Sequence, residues 1–241
     1  MTNEILRVDK LNKTFRGRKK ELQAVKDVSF TIQKGECLGL IGESGSGKST
    51  VANLVSGLIR PSSGTIHFYG KNLQMVFQDP MMSFSPRMKI LDCLCEGLRY
   101  RTGLSREEQE LRAYEVLEQV GLRKEYARKY SYELSGGECQ RAAIGRAIMI
   151  KPELLICDEV TSALDVSVQA QIIRLLKSLA GELGMAYLFI SHDLALVSSL
   201  CDRIAVMYRG EIVETGEVRQ VIDHPVQEYT KKLLASVLTV N

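Results

Sequence analysis

The 241 residues, 45% of them hydrophobic, suffice for one large globular domain or a core carrying a subdomain. Setting 29 acidic side chains against 32 basic ones leaves a formal charge of +3, which gives no argument for nucleic acid or an anionic membrane as partner. Six cysteines without a C-x-x-C pair argue against zinc and against a disulfide framework, and no apolar run approaches the length that spans a bilayer.

Residues 1 to 10 mix charge with apolar positions and lack a signal-peptide core, so the cytosol is the expected compartment and any membrane role comes through partners. Ile5-Leu6-Arg7-Val8 and Val28-Ser29-Phe30-Thr31-Ile32 read as strands, the second with clean alternation. Between them Phe15 stands alone as an aromatic in a polar loop, where it serves either to stack on a base or to pack against the sheet. The basic run Arg16-Gly17-Arg18-Lys19-Lys20 reads as a solvated connection.

The run Cys37-Leu38-Gly39-Leu40-Ile41 then leads into Gly42-Glu43-Ser44-Gly45-Ser46-Gly47-Lys48-Ser49-Thr50, followed by the helix-forming Val51-Ala52-Asn53-Leu54-Val55. A glycine-rich turn between a buried strand and a helix is a phosphate-binding loop. Glycines 42, 45 and 47 allow positive φ and close backbone approach, so several amide hydrogens can converge on one anion. The helix start adds its partial positive charge, Lys48 reaches the outer phosphates, and Ser49 offers a hydroxyl to Mg²⁺. From average residue usage the bare pattern arises by chance in a chain of this length at roughly the one-in-a-hundred level.

Pro61-Ser62-Ser63-Gly64 turns the chain into a strand, Thr65-Ile66-His67-Phe68-Tyr69, and Leu73-Gln74-Met75-Val76-Phe77-Gln78 gives another before Asp79-Pro80. Gln78 at that exit serves a metal or a water, or only a solvated boundary. From Ile90 to about Tyr130 the pattern turns helical, with Leu111, Val116, Leu117 and Val120 as its apolar positions. Leu134-Ser135-Gly136-Gly137-Glu138 opens a further helix, where Ser135 is a second phosphate contact or a plain N-cap. Leu154-Leu155-Ile156-Cys157-Asp158-Glu159 is a buried-strand run ending in two acids. Opposite a phosphate loop, Asp158 suits Mg²⁺ and Glu159 a general base. A helix from Val168 to Glu182 ends at Gly184, and the strand Ala186-Tyr187-Leu188-Phe189-Ile190 exits into Ser191-His192-Asp193. That order puts His192 on the same sheet edge, within reach of a γ-phosphate. A hairpin over Ile204 to Glu214 and a helix around Tyr229 to Val237 close the chain.

In this order, the motifs resemble those of the nucleotide-binding subunit of ABC transporters, over essentially the whole chain. The resemblance implies an α/β fold: a P-loop NTPase core of mixed sheet flanked by helices, with an N-terminal antiparallel β-subdomain and an inserted α-helical subdomain. It implies one ABC ATPase domain over 1–241, with a RecA-like core and β-subdomain in 1–78 and 152–241 and the helical part in 79–151. Residues 42 to 50 correspond to Walker A, 154 to 159 to Walker B, 134 to 138 to the signature, Gln78 to the Q-loop, Asp165 to the D-loop, His192 to the switch histidine and Phe15 to the base-stacking position. ATP and Mg²⁺ are the implied cofactors, with Glu159, His192 and Gln78 in the catalytic group and Ser49, Gln78 and Asp158 at the metal.

The resemblance further implies a head-to-tail pair of ATPase subunits, a paralogue or a second copy, in which ATP on Lys48 of one is covered by Ser135 and Gly137 of the other. Two membrane permeases and, indirectly, an extracytoplasmic binding protein complete the assembly, peripheral at the cytoplasmic face of the cell membrane. Phe77-Gln78-Asp79-Pro80, Ser83-Phe84-Ser85-Pro86-Arg87-Met88 and the segment from His224-Pro225 to Leu234 resemble the peptide/nickel importer group. The short Gly70-Lys71-Asn72 link and the early end after Leu234 lean toward its nickel and metal-chelate members. An exporter subunit and a soluble non-transport ABC ATPase are the alternatives.

Overall fold

The structure, a computed structural model, describes residues 3–17, 21–99 and 103–238, without the side chains of 236–238. Residues 18–20 of the basic run lie outside the described residues. Among the described residues, nine strands form two sheets. β1 (Glu4–Arg16) pairs antiparallel with β2 (Glu21–Gln33) and β4 (Ser63–Phe68). The larger sheet runs β5 (Leu73–Val76), β6 (Leu154–Asp158), β7 (Ala186–Ile190), β3 (Cys37–Ile41), β8 (Arg203–Tyr208), β9 (Glu211–Glu217). Its first five strands are parallel and β9 returns antiparallel.

β3, β6 and β7 are buried at every position, as expected of parallel strands covered on both faces. Their alternation divides the interior. Leu38, Leu40, Leu154, Ile156, Leu188 and Ile190 pack with β1, β2 and α1 (Lys48–Val55) on one face. Ile41, Leu155, Cys157, Tyr187 and Phe189 pack on the other. That second cluster continues into the helices inserted between β5 and β6: α2 (Ile90–Arg99), α3 (Arg106–Gln119) and α4 (Gly136–Ile148). α5 (Val166–Leu183) joins β6 to β7 and closes on Gly184 in the left-handed conformation; α6 (Leu194–Leu200) joins β7 to β8, and α7 (Val218–Asp223) and α8 (Glu228–Leu238) come after β9. The mixed sheet, its flanking helices, the antiparallel N-terminal sheet and the helical insert are the architecture expected from the sequence.

Two expectations are corrected. Phe15 lies inside β1, opposite Leu22 of β2, rather than in a loop. The hairpin runs past the covered part of the sheet, so its far end is solvated on both faces and loses the alternation that marks a strand. Leu111 is 63% exposed, whereas Val116, Leu117 and Val120 are buried. Standing two residues before the buried Ala113, it is turned roughly 200° around the helix. The six cysteines are free and buried, and Cys37 Sγ lies 3.3 Å from Cys201 Sγ. Among the described residues, no helix is long and apolar enough to cross a membrane.

Strand register sets the functional edge. Leu40 and Asp158 both pair with Ile190, and Val76 pairs with Cys157. The loop after Ile41, the acids closing β6, His192 after β7 and Gln78 after β5 therefore leave the sheet side by side.

Candidate functional site

The loop after β3 is shaped by its glycines. Gly42, Gly45 and Gly47 have φ of 154°, 80° and 110°. A Cβ on Gly42 would collide with the Met207 carbonyl oxygen, and one on Gly47 with that of Ala24. Gly47 caps α1 without any side-chain hydrogen bond, which leaves the first amides of the helix unclaimed by side chains. The Lys48 Nζ donates to Gly42 O at 2.7 Å and to Glu43 O at 2.9 Å. Burial lowers its pKa, opposed by the charges of Glu159, Asp158 and Glu43.

Ser49 Oγ donates to Asp158 Oδ1 at 3.1 Å, a contact that ties the loop to the end of β6. Burial raises the Asp158 pKa, opposed by that hydrogen bond. Ser49 and Asp158 offer hard oxygen donors at one place, a set that fits Mg²⁺ better than a metal needing a closed protein cage. Among the described residues no three His, Cys, Asp or Glu converge into such a cage. Mg²⁺ is commonly held by one or two protein oxygens and completed by phosphate and water. A carboxylate disfavoured by burial also gains from a neighbouring cation.

Glu159 adopts the left-handed conformation, φ 49°, costly for a residue with a Cβ. It turns the chain off β6 while its N–H still donates to Ile190 O at 3.0 Å. Its Oε1 lies 3.7 Å from His192 Nδ1, beyond hydrogen-bond length, with His192 60% exposed. The Gln78 amide nitrogen donates to Ser162 Oγ at 3.3 Å, and Ser162 Oγ donates to Glu159 O at 3.0 Å. Ser162, which belongs to none of the motifs read from the sequence, thus links Gln78 to the backbone of Glu159. Its only sequence signal is its place three residues after the acid.

A cleft of about 380 Å³ runs along this edge. It is bounded by Phe15, Leu22 and Ala24 of the first hairpin, by Ser44, Gly45, Gly47, Lys48, Ser49 and Thr50 of the loop, and by Gln78 and Glu159. Its size is in the range of small-molecule sites. Phe15 is 41% exposed, with the Lys13 amine 5.2 Å from its ring centre.

Not every candidate borders that cleft. Ser135 to Glu138 open α4, and only Gly136 among them borders a second cleft of about 420 Å³, which shares Gln78 with the first. Ser135 is an N-cap: its Oγ accepts from Glu138 N at 3.4 Å, and Glu138 Oε2 accepts from Ser135 N at 2.8 Å. The Tyr126 hydroxyl also donates to Glu138, so each carboxylate oxygen has a partner within the helical insert. A Cβ on Gly137 would come 2.6 Å from Val168 Cγ1, so α4 and α5 approach closely there. Asp165 likewise caps α5, accepting from Val168 N at 3.0 Å and from Ser167 Oγ at 2.7 Å.

Comparison with known proteins gives concordant findings. Residues 25–162 match the family model described as ABC transporter. An oligopeptide transport ATP-binding protein OppF of Bacillus subtilis is 42% identical, with 98% of this chain and 83% of that protein covered. A putative peptide import ATP-binding protein of Brucella abortus is 42% identical over 98% of this chain and 75% of its own length. Among solved structures, the ATP-binding cassette MJ0796, as a dimer in a post-hydrolysis state bound to ADP and Pi, superposes with a TM-score of 0.80 at 28% identity. That match covers 89% of this chain and 99% of the other. CbiO1 of Clostridium perfringens, part of the ABC transporter complex CbiONQ, gives 0.81 at 27% identity over 99% and 97%.

Proposed function

Because the chain belongs to the ABC transporter family, as an ATP-binding subunit, we propose that it binds and hydrolyses ATP to drive import through membrane partners, with peptide as the substrate class. The observation that carries the reading is the Ser49 to Asp158 hydrogen bond, which joins a phosphate loop to the acid ending β6, with Glu159 bordering the same cleft. Peptide rests on the two importer relatives, similar across 98% of the chain. The lean toward nickel and metal chelates, drawn from the Gly70-Lys71-Asn72 link, finds no counterpart in those relatives' names.

In this reading the unclaimed amides of the loop and Lys48 bind the phosphates, and Phe15 with Leu22 receives the base. Ser49 and Asp158 would hold Mg²⁺, which when bound would supply charge neutralisation to the phosphates. Glu159 takes a proton from the attacking water, and Gln78, held through Ser162, positions that water. His192 lies beside Glu159, the residue through which it would reach the γ-phosphate. Ser135 and Gly137 stand apart from the chain's own loop, which supports their action on a second ATPase subunit's nucleotide. A head-to-tail pair, docked through the helices of 79–151 on two permeases at the cytoplasmic face of the cell membrane, completes the proposed assembly.

The test is Glu159→Gln. Steady-state hydrolysis falls about a hundredfold to ten-thousandfold, the range of a lost general base, while ATP binding is retained. Turnover within a few-fold of the unaltered chain would remove Glu159 from that role.

A further inference from the structure

The ATP site leaves unused one segment that the sequence singles out, His224 to Leu234, which packs on the edge of the phosphate loop. The Glu214 carboxylate of β9 accepts from Val226 N at 2.8 Å and Gln227 N at 3.1 Å, fixing the entry into α8. One residue into that helix, the Tyr229 ring stacks on Tyr208 at the end of β8, with ring centres 4.0 Å apart. The Tyr229 hydroxyl then accepts from the backbone N–H of Glu43, 186 residues away, at 3.1 Å.

That N–H belongs to the peptide group joining Gly42 to Glu43. The carbonyl of the same group, Gly42 O, accepts the Lys48 amine at 2.7 Å. A peptide group is planar, so its N–H and C=O turn together. Gly42 has no Cβ to restrain that rotation from its own side, and its φ of 154° is open chiefly to glycine. The next carbonyl, Glu43 O, accepts both Ser46 N at 3.2 Å and the Lys48 amine at 2.9 Å, so the loop itself holds the far side of Glu43, while the N–H of the Gly42–Glu43 plane is taken by Tyr229. We propose that Tyr229 is a positioning residue for the phosphate loop. Its hydroxyl holds the Gly42–Glu43 peptide so that the carbonyl on the opposite side keeps the Lys48 amine aimed into the cleft. Tyr208 and Glu214 in turn hold Tyr229.

This inference rests on the reading that the cleft takes ATP, so Lys48→Ala accompanies the test. Tyr229→Phe in the full chain keeps the stacked ring and removes the acceptor. Calorimetry with Mg·ATP at low temperature and steady-state ATPase rates read its effect. The expected result is a Kd and a KM raised about threefold to tenfold, the scale of one lost hydrogen bond, with kcat within about twofold and the thermal midpoint little changed. A purely structural contact would move the midpoint and not the split between KM and kcat. Glu214→Gln, which loosens the entry to α8 without touching the loop, raises KM in the same direction by less, and it decides the matter should Tyr229→Phe fold poorly. Unchanged Kd and KM in the foldable variants, or a fall in kcat alone, overturns the role of Tyr229 while Lys48→Ala still abolishes binding. Binding that survives Lys48→Ala would instead remove the ATP site itself.

Discussion

Two helices of this molecule begin in sequences rich in glycine and serine, and they begin differently. α1 starts at Gly47, in the left-handed conformation and with no side chain on its first amides. α4 starts at Ser135, with extended backbone and a reciprocal cap in which Ser135 and Glu138 satisfy each other's amides. The first start faces its own chain's cleft; the second does not border it. Similar composition thus leaves helix amides without a side-chain partner in one place and makes a self-capped helix in the other. The Ser135 oxygen is an acceptor in that cap, so its hydroxyl proton remains available to a group from outside. This contrast is what a site shared between two subunits requires.

The largest effect that could break the contrast is Lys48→Ala. Losing a buried, hydrogen-bonded cation from a phosphate site lowers ATP affinity about a hundredfold or more, read by calorimetry, if the α1 start is the receptor. Next comes Ser135→Ala. It removes the acceptor of the cap, and unfolding in urea should show a loss of about 1 kcal/mol. No loss would mean that the cap contributes nothing and that Ser135 serves only in recognition. The smallest effect is expected at Phe15→Ala, with ATP affinity down about threefold to tenfold through lost stacking. A similar loss for a triphosphate without a base would move Phe15 away from the base position.

Much of this was legible because the central strands are buried on both faces. β3, β6 and β7 show in the sequence as continuous apolar runs, and the residues just after each run name the edge: a glycine loop, two acids, a serine and histidine. The Gly184 stop was equally plain, since a left-handed cap favours glycine. Phe15 was misplaced because a hairpin wet on both sides loses its alternation, and Leu111 because a single apolar residue does not fix a helix's phase. Ser162 shows in the sequence only by its place three residues after the acid, and Tyr229 only as part of the His224 to Leu234 segment; the partner of neither is signalled. Their roles arise from contacts 84 residues away, to Gln78, and 186 residues away, to Glu43, which only the folded chain creates.

The claim that one ATP is held by Lys48 and completed by another subunit's Ser135 is tested most directly in an assembled pair with Ser135→Ala in this chain alone. A radiolabelled photoreactive ATP analogue then reports, subunit by subunit, whose nucleotide is converted to ADP. Conversion should slow on the partner's loop while continuing on this chain's own loop. A defect confined to this chain's own nucleotide would contradict the shared site.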